Sequence, residues 1–96
     1  MLHLPQNLLH STGAACLVDL MRALRADSSQ SVTVDAAGLV RFDSTALAVL
    51  LELRRAALLE GKTFVLVQLP ARLADLARLY GILELLPEQG AVALAK

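Results

Sequence analysis

The sequence predicts an α/β domain: a small mixed or parallel sheet with helices packed mainly on one face. Short alternating or continuously apolar segments are separated by longer segments with helical spacing. That order places strands beside one another through helical crossovers. About three strands are legible, too few to call for helices on both faces. Ninety-six residues suit one domain, residues 1–96, with one core.

"MLHLP" is short and partly alternating, and Pro5 ends it or marks an edge, giving a terminal strand. "QNLLHST" reads as a turn or loop in which Ser11 or Thr12 would cap the following helix. From Gly13 to Ala26, Cys16, Leu17, Leu20, Met21 and Leu24 recur at helical spacing. Asp19, Arg22 and Arg25 lie mostly off that stripe, so this helix is amphipathic. "DSSQS" is a loop by composition. "VTVDA" alternates and is rich in β-branched residues, a strand with Val32 and Val34 inward. After "AGLVRF" a second helix runs from about Ser44 to Glu60 and stops at Gly61. "KTFVLVQL" is apolar through Phe64 to Val67 and reads as a central strand. Pro70 suits the first position of a third helix, with Leu73, Leu76, Ala77 and Tyr80 inward and Gly81 closing it. "ILELLPEQ" reads as a short helical turn, and residues 90–96 as a loose tail.

Apolar residues make up 56% of the chain, which excludes disorder. Lys plus Arg equals Asp plus Glu, nine each, and nothing forms the basic stripe of a nucleic-acid binder. Zero net charge with surplus apolar content suits a protein that stays bound to a partner. Cys16 is the sole cysteine, consistent with a reducing compartment. The N-terminus lacks the pattern of a secretory leader, and runs such as "ALAVLL" fall far short of the roughly 20 residues of a membrane span. A soluble, cytoplasmic protein without direct membrane insertion is expected.

Phosphate-binding loops and nucleophile elbows are missing from the sequence, so no catalytic residue is assigned. His3, His10 and Cys16 lack metal-ligand spacing, and structural or neutral roles are assigned to all three. No metal or cofactor is expected. The stretch "RFDSTALAVLLELRR" carries the candidate site. Stepping about 100° per residue, Ala46, Val49, Leu50, Leu53 and Ala57 form the core stripe of the second helix. Leu47, Leu51 and Leu58 form a second apolar column, with Arg54 near its middle. This column is either a wider buried face or a docking surface. Asp43, Ser44 and Thr45 are all good helix-capping types, and one of them suffices for the cap. A spare hydroxyl at the positive end of a helix would favour a partner's polar group or a phosphate.

The order of strand, short loop, "FDSTALAVLL", long helix, glycine, strand and short helix resembles the STAS domain family. The resemblance covers residues 32 to 87, and weakly the part before. The "LARLYGILELLP" segment is similar to the ending of the MlaB-type members, the cytoplasmic STAS subunits of the Mla phospholipid ABC transporter. The resemblance implies a non-enzymatic subunit that binds the transporter's ATPase, peripheral to the inner membrane, in a system maintaining outer-membrane lipid asymmetry. It places Asp43 on the motif aspartate and Ser44 on the hydroxyl residue at the ATPase contact. Thr45 falls on the phosphorylated serine of the anti-sigma-factor antagonists, so the alternative is a switch run by a serine kinase, with Thr45 or Ser44 phosphorylated. Leu47, Leu51 and Leu58 would line the partner surface beside Asp43, Ser44 and Thr45. Two departures stand out. The family's first strand is missing before "LHLP", leaving an edge exposed, and Ala46 replaces the usual glycine.

Overall fold

The computed structural model describes residues 1–82, 85 and 86. Its elements are β1 (Leu2–His3), β2 (Asn7–Leu8), α1 (Gly13–Ala26), β3 (Ser31–Asp35), β4 (Arg41–Phe42), α2 (Thr45–Leu59), β5 (Thr63–Val67) and α3 (Ala71–Leu79). Strands β1, β3 and β5 form one sheet in that order, and β2 pairs with β4 in a second; every pairing is parallel.

The two ladders are successive stretches of the same pair of chain segments. Leu2 and His3 lie opposite Val34 and Asp35, and Leu4 N–H donates to the Asp35 carbonyl at 3.0 Å. The partner segment then detours through a turn closed by Leu39 N–H on the Ala36 carbonyl. Asp35 Oδ1 accepts from Ala37 N–H at 2.9 Å inside that turn. Beyond it, Gln6 O accepts from both Val40 and Arg41, and Asn7 and Leu8 lie opposite Arg41 and Phe42. Extra residues on one strand against fewer on its neighbour leave a break of the kind a bulge makes. Pro5 sits opposite the detour, where its missing N–H costs no ladder bond. The segment "QNLLHST" is therefore not all loop, because it contains β2.

Strands β3 and β5 share one burial alternation. Val32, Val34, Phe64 and Leu66 are buried, while Ser31 and Thr63 are exposed and Thr33, Asp35, Val65 and Val67 half-buried. Leu2 and Leu4 join the buried set, and the helices contribute Leu20, Leu24, Leu50, Leu53, Leu73 and Ala77 to the same core. The described sheet thus has one well-covered face, as the sequence implied. Among the described residues the order is β1-β3-β5, so β5, expected as a central strand, pairs there with β3 alone. The apolar run in β5 reflects half-burial of Val65 and Val67, which a one-sided strand tolerates. Among the described residues, no strand pairs with the outer side of β1.

The helix ends explain the chain's turns. Gly61 (φ 74°) and Gly81 (φ 73°) occupy the left-handed conformation that glycine adopts without strain. After α2, Gly61 N–H reaches Leu58 O at 3.0 Å and Lys62 N–H reaches Ala57 O at 2.9 Å. After α3, Gly81 and Ile82 bond Arg78 O and Ala77 O in the same way, a Schellman closure in both cases. No glycine follows α1. There Lys62 Nζ, nearly buried, donates to Leu24 O at 3.2 Å and to Asp27 O, placing a cation at the negative helix end. Pro70 stands one position earlier than expected, as the N-cap of α3. Tyr80 is 57% exposed, against the inward placement expected of it, because the helix ends beside it. The "ILELLPEQ" turn lies largely, and the 90–96 tail wholly, outside the described residues.

Candidate functional site

The start of α2 lies beside the turn that precedes α1, and a single carboxylate joins them. Asp43 Oδ1 accepts from Thr45 N–H at 2.8 Å, and Oδ2 accepts from His10 N–H at 3.1 Å. Ser44 has helical dihedrals (φ −64°, ψ −13°) and makes no capping bond with its side chain. Asp43 is thus the member of the triplet that caps the helix, bonding the N–H two positions on. These donors hold its carboxyl below the usual aspartate range, Thr45's backbone N–H contributing most, then its hydroxyl, with His10 adding less. The group is depressed in the fold, so the stability it supplies is complete above the ordinary aspartate pKa. That stability fades as pH falls through the lower folded value.

The hydroxyl residues differ in setting. Ser44 is exposed, whereas Thr45 is half-buried. A Cβ added at Gly13 would collide with Thr45 Cγ2, so α1 and α2 touch closely here because position 13 has no side chain. Ser11 is exposed; Thr12 occupies the cap position of α1 but makes no capping bond. Its hydroxyl instead accepts from Leu9 N–H at 3.1 Å, closing the turn behind it.

The leucine column divides. Leu47 is 2% exposed and belongs to the core, which corrects its placement on the partner surface. The preceding cap and the α1 contact enclose this first turn of the helix. Leu51 is half-buried against the core, and Leu58 is 50% exposed. Ala46, Val49, Leu50, Leu53 and Ala57 are all buried, as their spacing predicted. The sequence reading missed two neighbours of the site. One is the His10 backbone, which carries no residue-type signal. The other is Arg72 from α3, whose guanidinium sits 5.1 Å from the centre of the Phe42 ring.

His3 Nδ1 lies 3.5 Å from Asp35 Oδ2, and Cys16 is half-buried with its thiol pKa pushed up, first by burial and then by Asp19. A groove of about 390 Å³ runs between α1 and the β1–β2 edge, past Pro5, Asn7, Ala15 and Cys16. None of Asp43, Ser44, Thr45, Leu47, Leu51 or Leu58 lines it. Among the described residues, no group of three or more His, Cys, Asp or Glu side chains is placed to hold a metal ion. No described helix is long and apolar enough to cross a membrane.

A parallel sheet covered by helices, with a capped D-S-T triplet opening the second helix, defines a STAS-type domain. The family described as "Mlab, STAS domain" matches residues 2–87, and the chain belongs to that family. Among solved structures it is similar to an anti-sigma-factor antagonist (STAS) domain protein from Planctomyces limnophilus. That likeness has a TM-score of 0.74 at 17% identity and covers 97% of this chain and 86% of the other. At that identity the likeness speaks for the fold. No curated protein matches the chain significantly.

Proposed function

We propose that this domain is a non-catalytic subunit that docks on the ATPase of an Mla-type phospholipid ABC transporter. It would act at the cytoplasmic face of the inner membrane, supporting the transport that maintains outer-membrane lipid asymmetry. The observation that carries this reading is the exposed Ser44 hydroxyl at the positive end of α2, in a chain of the Mlab STAS family. Ser44 makes no capping bond because Asp43 caps the helix, so its hydroxyl can serve a partner. The test is a tagged pull-down from native cytoplasm with the bound proteins identified by mass spectrometry. An ABC ATPase should be captured by the wild type and lost with Ser44→Arg, which adds a bulky charge without touching the core. Capture of an anti-sigma factor or a small serine kinase instead would overturn the transporter reading.

That second outcome belongs to the alternative, a partner switch controlled by phosphorylation, the class named for the similar solved structure. In that reading Ser44 is the better acceptor. Thr45 is the family position, but its methyl group is wedged at Gly13 and the residue is half-buried. A phosphate on Ser44 would add a charge of about −2 at the helix start. Intact-mass measurement of protein from its own cells separates the readings. Phosphoprotein favours the switch, and its absence at every growth stage favours the transporter subunit.

A further inference from the structure

Asp43 was expected among the partner contacts, yet both of its oxygens are engaged within the chain, one on Thr45 N–H and one on His10 N–H. The second bond joins residues 33 positions apart. It falls on a turn that is otherwise closed on itself: Thr12 N–H donates to Leu9 O at 3.0 Å, and the Thr12 hydroxyl both accepts from Leu9 N–H and donates to Leu9 O. Those bonds shape the turn without fixing where it lies against α2. The β2–β4 ladder anchors the start of the turn and the contact of Thr45 with Gly13 its end, and the His10 bond ties the middle of the turn to the start of α2. His10, Ser11 and Ser44 are exposed around the carboxylate that holds them together.

We infer that Asp43 is a positioning residue that latches the Leu9–Thr12 turn to the first turn of α2, so that His10, Ser11 and Ser44 form one docking surface. The inference rests on the proposed docking of this site on the ATPase. Fixing two segments before the partner arrives removes ordering costs that docking would otherwise meet. It also assigns the partner a footprint that includes the turn before α1, which no motif in the sequence marks.

The test exploits the difference between a carboxylate and an amide. Asp43→Asn keeps one oxygen, which can cap α2 through Thr45 N–H, but its NH₂ group cannot accept from His10 N–H. In the full-length chain, the variant should melt cooperatively and keep Thr45 amide exchange near the wild-type rate. His10 exchange should accelerate about tenfold, the scale expected for losing one hydrogen bond to a charged group. Affinity for the ATPase captured in the pull-down should fall by a similar factor, and Asp43→Ala should add loss of the Thr45 protection. Unchanged His10 exchange would overturn the latch. Faster His10 exchange with unchanged ATPase affinity would overturn the single docking surface. If the wild type itself fails to bind the ATPase, the transporter reading falls and takes the shared surface with it, while the exchange rates still decide the latch.

Discussion

The two apolar columns of α2 run side by side and meet different fates. Ala46, Val49, Leu50, Leu53 and Ala57 are 3% exposed or less, whereas the neighbouring column passes from Leu47 at 2%, through half-buried Leu51, to Leu58 at 50%. Angle alone does not order the second column. At about 100° per residue, Leu51 lies farther from the centre of the core stripe than Leu58 does, yet it is more buried. Height along the helix orders it. The first turn is enclosed by the Asp43 cap, the Leu9–Thr12 turn and the approach of Gly13 to Thr45. The last turn ends at Gly61, with Leu58 and Leu59 facing outward. A column of leucines in sequence can thus be core at one end and surface at the other.

The sharpest way to break that comparison is Leu47→Asp. A carboxylate in this enclosed position loses the leucine's packing and buries an unpaired charge, a cost of about 4 kcal/mol or more. Against a total stability of roughly 5–15 kcal/mol, that loss is a large share of the margin, so the variant should unfold at much lower temperature and urea concentration than the wild type, read by circular dichroism. A cooperative melt near that of the wild type would return Leu47 to the surface. Any loss of partner binding by this variant reports unfolding, so it is unsuitable as an interface probe.

A smaller effect is expected where the enclosure is made. Gly13→Ala places a methyl against Thr45 Cγ2, and backbone or rotamer shifts should destabilise the domain by about 1–3 kcal/mol. Thr45→Ser removes the opposing methyl. The double variant should recover most of the loss, giving a coupling of about 1 kcal/mol or more in a double-mutant cycle. Additive losses would mean that the two helices do not meet at this pair.

What the sequence disclosed follows from the range of each interaction. The bounds of α1, the inward faces of β3 and the closures at Gly61 and Gly81 depend on residues within a few positions of one another, and they were legible. The two residues of β2 are too few for alternation to register, and their pairing with β4 is fixed by contacts across more than thirty positions. The neighbours of β5 were not legible for a related reason: an apolar run reports burial of side chains, not the number of neighbouring strands, and among the described residues β5 pairs with β3 alone. In the candidate site, the triplet announced a cap but not which member makes it. Asp43 makes it and also holds the His10 N–H, a main-chain donor that any residue other than proline would supply.

The least disruptive change completes the contrast along α2. Leu58 lies eleven residues beyond Leu47, about 16 Å farther along the helix at 1.5 Å per residue, and already faces solvent over half its surface. Leu58→Asp should shift stability by no more than about 0.5 kcal/mol, read as a melting temperature within a few degrees of the wild type. Its consequence for docking should be larger than for folding. A leucine that completes its burial against the ATPase would contribute about 1 kcal/mol or more through the remaining area, so affinity should fall roughly five- to tenfold in a direct titration. Unchanged affinity in this folded variant would confine the interface to the N-terminal end of α2, around Ser44 and the latched turn. An equal loss from Leu58→Asp and Ser44→Arg would extend it along the full helix.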